Sequence, residues 1–345
     1  MSFPLSILDL SPVDKGVSQR QALQNTIALA RVADGLGYHR YWLAEHHNTT
    51  MIASSSPEIM IGHVAGATRH LRVGSGGIML PNHTPLKVAE TFKMLDALHP
   101  GRIDLGIGRA PGTDSRTALA LRRSREAVWG DDFPDQLAEL MAFGAGEFPP
   151  DHPFRSVVAV PNEVELPPIW LLGSSGFSAQ LAASLGLGFA FAAHINPEGA
   201  AFVMQAYREQ FQPSAHLSAP HSILATAVIC GETDEHAEYL AATYDLVFVS
   251  LRTGRLGPLL SPEEALAYPL SAEERAAAKA RRVNFAVGSP ATVRAKLEEL
   301  AAETAADELM ITSTIFGHDE RVRAITRIAT AFNLGTTPAE DGAAA

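Results

Sequence analysis

The residues most able to do chemistry in this chain gather in four short stretches. The first is YWLAEHHN, residues 41–48, where an apolar run breaks into Glu45, His46 and His47. A carboxylate beside two imidazoles invites either a metal or a proton-transfer role, because imidazole changes charge near neutral pH. Neighbouring residues on a strand point to opposite faces, so His46 and His47 cannot both reach one ion without a bend. The chain has no HExxH pattern and no third obvious ligand cluster. The expectation is that one histidine faces an active site while the other packs or hydrogen-bonds behind it.

The second stretch is LLGSSGFSAQL, residues 171–181. A strand-like run ends in Gly173, Ser174, Ser175 and Gly176, and a helix begins at once. The first amides of a helix lack internal partners and carry the positive end of its dipole, which suits an anion. Ser174, Ser175 and Ser178 add hydroxyl donors, and Gly173 and Gly176 admit a ligand close to the backbone. The competing reading is an ordinary strand-to-helix turn with a serine cap.

The third is GIGRAPG, residues 106–112, which imitates a dinucleotide fingerprint with its third glycine one place late and Pro111 interrupting. That fingerprint also wants an acidic residue at the end of the next strand, and Glu126 lies in the arginine-rich RRSREAVWG instead. The fingerprint is rejected. Arg109 at the strand end is read as a forked donor for a phosphate, with a rim salt bridge as the competing role. The fourth stretch, VGSGGIML (73–80), puts Gly76 and Gly77 inside a strand. There glycine marks either tight packing or something flat pressed against the backbone.

These clusters must be positioned by a scaffold, and alternation of strand and helix patterns runs the length of the chain. Strands are expected at 4–10, 38–45, 71–80, 102–108, 167–175, 188–194, 221–231 and 307–317, each followed by a helical pattern. Among the helices are 19–37, 85–98 and one near 132–145, with a further one opened by Ser56 as N-cap and Pro57 in its first turn. Several strands are continuous apolar runs, as parallel strands covered on both faces are. Eight such units point to a (β/α)8 TIM barrel, with an open doubly wound sheet as the competitor. A barrel places the tips carrying His46, Gly76, Arg109, Ser175 and His194 on one rim. Residues 1–335 are expected to form a single barrel domain. It carries an irregular insertion near 110–165 and a helical insertion near 250–285, and residues 336–345 form a disordered tail.

The net charge of −11 argues against a nucleic-acid or anionic-membrane partner. Cys230 is the only cysteine, which excludes an internal disulfide and any multi-thiolate centre. The N-terminus lacks the basic start and apolar core of a signal peptide, and no apolar run reaches membrane-spanning length. The expected location is the cytoplasm.

Taken together, YWLAEHHN, VGSGGIMLPNHTPLKVAE, HPGRIDLGIGRAPG and LLGSSGFSAQLAASLGLGFAFAAH resemble the bacterial-luciferase-like flavin monooxygenase family, in order and along nearly the whole chain. The resemblance implies a luciferase-like (β/α)8 barrel holding reduced FMN at the strand C-terminal face, with deazaflavin F420 as the alternative cofactor. It implies phosphate binding by Arg109, Ser174, Ser175 and Ser178, with Gly173 and Gly176 in the same turn. His46 is placed near the reactive edge of the flavin, and a cis peptide at Gly76–Gly77 beside the ring. Luciferase itself has an acidic residue where this chain has Ser174. The implied activity is oxygenation of a small organic substrate with O2, a separate flavin reductase supplying the reduced cofactor, in a homodimer. An F420- or NAD(P)H-dependent oxidoreductase and a non-catalytic flavin-binding protein are the rival readings.

Overall fold

A computed structural model describes residues 3–110, 112–123, 132–282 and 284–335. The strands are β1 (Leu5–Asp9), β2 (Arg40–Leu43), β3 (Arg72–Ser75), β4 (Ile78–Met79), β5 (Ile103–Gly108), β6 (Ile169–Gly173), β7 (Gly188–Ala192), β8 (Ser222–Cys230), β9 (Ala286–Gly288) and β10 (Glu308–Thr312). Eight of them close a parallel ring in the order β10, β1, β2, β3, β5, β6, β7, β8, with β8 pairing back to β10. This is the TIM barrel; the doubly wound alternative would leave two sheet edges open, and the pairing of Leu309 with Leu224 joins them.

The strands close this way because they are buried on both faces. Every residue of β1, β2, β5 and β8 is buried. Leu8, Trp42, Trp170, Ile223, Ala225 and Met310 fill the barrel interior as a cluster of their own. The alternate positions, such as Leu5, Ile7, Tyr41 and Leu43, join the larger core beneath the helices. That two-sided burial is what a continuous apolar strand encodes.

Local signals set the helix ends. Ser18 accepts the amide of Gln21 at 3.1 Å to open the helix Gln19–Leu36, and Gly37 closes it at φ +83°. The helix Pro57–Ala67 begins where expected, but Ser56 makes no side-chain cap bond.

Three sequence expectations change. The run 71–80 is two short strands rather than one, with the cis Gly76–Gly77 peptide between them. A helix, Ser115–Arg122, opens in the stretch read as irregular, capped by Asp114 through the amides of Arg116 and Thr117. The excursion between β8 and β10 contains the expected extra helices, Pro262–Ala267 and Ala272–Arg282, and also β9, which extends the sheet beside the tip of β8. The Glu126 stretch and the 336–345 tail lie outside the described residues. Among those described, no helix is long and apolar enough to cross a membrane.

Candidate active site

Strand β2 ends at Leu43, so Glu45, His46 and His47 leave from a loop rather than from the strand. The argument from strand alternation therefore does not govern the two histidines, and hydrogen bonding separates them instead. Glu45 is fully buried and acts as a hub. It accepts Nε2 of His47 at 2.8 Å, Nε2 of His83 at 3.0 Å, the amide of Met79 at 2.9 Å and Nδ2 of Asn82 at 3.4 Å. Burial alone would raise its pKa, but the hydrogen bond and charge of His83, with the bonds from His47 and the Met79 amide, outweigh burial and hold the carboxyl below its ordinary value. For His83 burial acts downward and Glu45 outweighs it, so that ring is raised. The carboxylate thus serves structure. It ties the β2 tip to the segment that follows the cis peptide. His47 is thus the histidine tied to the Glu45 hub.

His46 is held differently. Its amide donates to the carbonyl of Ser54 at 3.0 Å, while its ring Nδ1 is buried with no hydrogen-bond partner among the described residues. Burial pushes the ring below its ordinary pKa, against the opposing pull of Glu45. No group of three or more His, Cys, Asp or Glu suited to a metal occurs among the described residues.

The barrel mouth contains a cavity of about 200 Å³, far larger than the roughly 10–15 Å³ that one water needs. It brings together Gly76, Gly77, Arg109, Gly173, Ser174, Ser175 and Ser178, from the tips of three different strands. The guanidinium of Arg109 lies over the ring of Phe177, 4.3 Å from its centroid, in the first turn of the helix Gly176–Leu185. A cation is therefore parked beside that helix's free amides. Ser175 is the N-cap residue but makes no side-chain cap bond, and Ser178 is buried. Gly176 opens the helix without lining the cavity, and His46 is not among the lining residues either.

The packing reading of the glycines has direct support. A Cβ on Gly77 would come within 2.8 Å of the Gly106 carbonyl, so backbone packing demands glycine there, while one on Gly76 would come within 2.6 Å of Leu8 Cδ1 and require that side chain to move. The same two residues form the cavity wall. On Gly173 a Cβ would meet Ser178 Oγ at 2.8 Å.

Sequence reasoning missed one participant and placed another on the rim without giving it a role. His83 stands 38 residues from Glu45, and no spacing rule joins them. His194 lines the cavity; its signal was visible, since the apolar run GFAFAA ends on it.

A description of the luciferase-like monooxygenase family matches residues 3–308. A luciferase-like monooxygenase of Escherichia coli K12 is 44% identical, over 92% of this chain and 93% of the relative. The N-acetyl-S-alkylcysteine monooxygenase of Bacillus subtilis is 37% identical, over 90% of this chain and 92% of that enzyme. Among solved structures, apo-MsnO8 superposes with a TM-score of 0.86 at 38% identity, covering 96% of this chain and 98% of that one.

Proposed function

The chain belongs to the luciferase-like monooxygenase family and is an oxidoreductase, and on that premise we propose that it uses reduced FMN and O2 to oxygenate a small organic substrate. One observation carries the reading. Arg109, stacked on Phe177, meets Ser174, Ser175, Ser178 and the first turn of a helix at one end of an otherwise mainly apolar cavity. That end suits a dianionic phosphate, since charged donors and free helix amides act together there.

The residues fit the rest of a flavin as well. Gly76 and Gly77 offer a side-chain-free wall, and Leu8, Trp42, Leu172 and Met310 keep water from the interior. His46, with its buried Nδ1 unpartnered among the described residues, is the group to hold or release a proton at the reacting edge, since no described residue fixes that nitrogen. Glu45 holds Met79, a wall residue, through its amide. When bound, reduced flavin supplies the electrons that activate O2, and the protein's part is to bind, orient and exclude water. A separate flavin reductase would deliver that cofactor. The exposed Ile59, Met94 and Leu98, on the adjoining helices Pro57–Ala67 and Pro85–Leu98, are the surface proposed for a homodimer.

Anaerobic titration with FMN, reduced FMN and F420 tests the cofactor. The expected result is tightest binding of reduced FMN. Tighter F420 would move the protein to the deazaflavin oxidoreductases, and tight oxidised FMN without reaction toward O2 would make it a flavin carrier. A substrate screen with a reductase present, read as a mass gain of one oxygen, then tests the activity.

A further inference from the structure

His194 stands two residues beyond β7, on the cavity wall next to Ala192 and Ala225. Its backbone amide donates to the carbonyl of Ala225 at 3.1 Å, and its ring Nδ1 lies 3.3 Å from the same oxygen. A carbonyl oxygen only accepts, so Nδ1 must carry the proton. A neutral imidazole has a single N–H, which leaves Nε2 as a bare lone pair. Burial favours that neutral form, with Arg281 and the His46 ring acting in the same direction. Nε2 makes no hydrogen bond among the described residues, nor is it one of the sealed, unpartnered atoms such as His46 Nδ1.

The ring is also held in place from outside the barrel. Arg281, on the excursion helix Ala272–Arg282, donates to the carbonyl of His194 at 3.1 Å and to that of Ile195. Phe248 and Phe285 flank the same guanidinium at 5.5 and 5.6 Å. The main chain on either side of the ring is therefore fixed by the excursion. The other polar side chains of the cavity, Arg109 and the three serines, sit together on the neighbouring tips of β5 and β6. His194 instead follows β7, outside that group, so its acceptor can meet a different ligand atom.

We propose that His194 is a specificity-determining residue, whose Nε2 accepts a hydrogen bond from an N–H or O–H of the organic substrate. The site would thereby select alcohols and amides over their methylated counterparts. The assignment rests on the monooxygenase reading only for the use made of the bound compound. The physical ground is that a desolvated lone pair is left unpaired by a ligand lacking the donor, and polar sites discriminate strongly on that basis.

Nitrogen-15 NMR of the full-length protein with labelled imidazoles tests it, with His194→Phe assigning the resonance. Between pH 5.5 and 7.5 the His194 Nδ1 should be pyrrole-like and Nε2 pyridine-like. A protonated ring, or the opposite tautomer, would overturn the proposal. Titration with benzyl alcohol against benzyl methyl ether, and benzamide against N,N-dimethylbenzamide, follows the Nε2 shift. The donor of each pair should half-saturate at concentrations about tenfold lower or more, and His194→Phe should abolish that preference when binding is read by tryptophan fluorescence. Equal binding within both pairs, no Nε2 response, or an undiminished preference in the variant would overturn it. FMN titration of the wild type reports on the flavin reading separately. Failure there would leave the tautomer and donor preference measurable.

Discussion

The two ends of the barrel treat polar groups in opposite ways. At the strand N-termini, Arg40 bonds Asp104 at 2.7 Å and Glu308 at 2.9 Å, Arg72 bonds Asp104 at 2.6 Å, and Trp42 Nε1 donates to Asp104 at 3.1 Å. Two cations face two anions, and both carboxylates are fully buried. Burial raises Asp104, but Arg40 and Arg72 outweigh it and its carboxyl lies below the ordinary range. At the strand C-termini, by contrast, His46 Nδ1, Ser54 Oγ, Thr226 Oγ1 and Asp14 Oδ1 are buried without partners among the described residues. Trp170 Nε1 is the exception at the closed end. A satisfied network has nothing left to offer a ligand, whereas the mouth keeps polar side chains, Ser174, Ser175 and His194, on the wall of a cavity. In a TIM barrel the first arrangement belongs to stability and the second to chemistry.

The largest effect should come from the closed end. Asp104→Ala leaves the buried Arg40 with Glu308 alone and the half-buried Arg72 without its carboxylate, and should cost about 3–5 kcal/mol of stability in urea denaturation. Flavin affinity of the remaining folded protein should stay within a few-fold. A loss below about 1 kcal/mol would mean that this network is not the brace it resembles. At the open end, His46→Ala should lower turnover by about 100-fold, at the low end for a general acid or base. Its flavin affinity and melting temperature should stay close to wild type; unchanged turnover would make the residue structural. Arg109→Ala should weaken flavin binding by roughly 10- to 100-fold, the loss of a charged hydrogen bond of about 1.5–3 kcal/mol. An unchanged dissociation constant would remove Arg109 from the phosphate end.

The smallest effect is a pH slope that separates the two ends. Burial pushes His39, near the closed end, and His194, at the mouth, down to about 4. The unfolded chain then takes up these protons first, so stability is complete above about pH 6.5, declines as pH falls toward 4 and loses nothing further from these groups below that. Asp245, lifted to about 6 by burial, tilts the curve the other way between about pH 6 and 4. The comparison to make is therefore wild type against His194→Phe and His39→Phe, by denaturation midpoints from pH 7 to 4. Each variant should flatten the acid decline, and a variant that leaves it unchanged removes its ring from the account.

Much of the barrel was legible because two-sided burial writes itself as continuous apolar runs, and helix ends as serine caps and glycine stops. The helix Pro85–Leu98 lies where its pattern places it. The split at Gly76–Gly77 was not legible as a break in the strand, because glycine is compatible with either outcome. Strand β9 is three residues long, too short for a period to register. In the candidate site, Arg109 and the serine turn stood out because strand tips of a barrel share a rim. The division of labour among Glu45, His46 and His47 did not, since it depends on His83 and Met79 arriving from elsewhere.

What the amino-acid order determined by itself was the succession of βα units and the residue types at their tips, because local periodicity and capping act over a few residues. Only tertiary structure decided which tip groups are consumed by the protein and which remain open. That outcome is set by partners far apart in the chain, as Glu45 is from His83 and His194 is from Arg281. A buried polar group is quenched or available according to the neighbour that folding brings within hydrogen-bond reach.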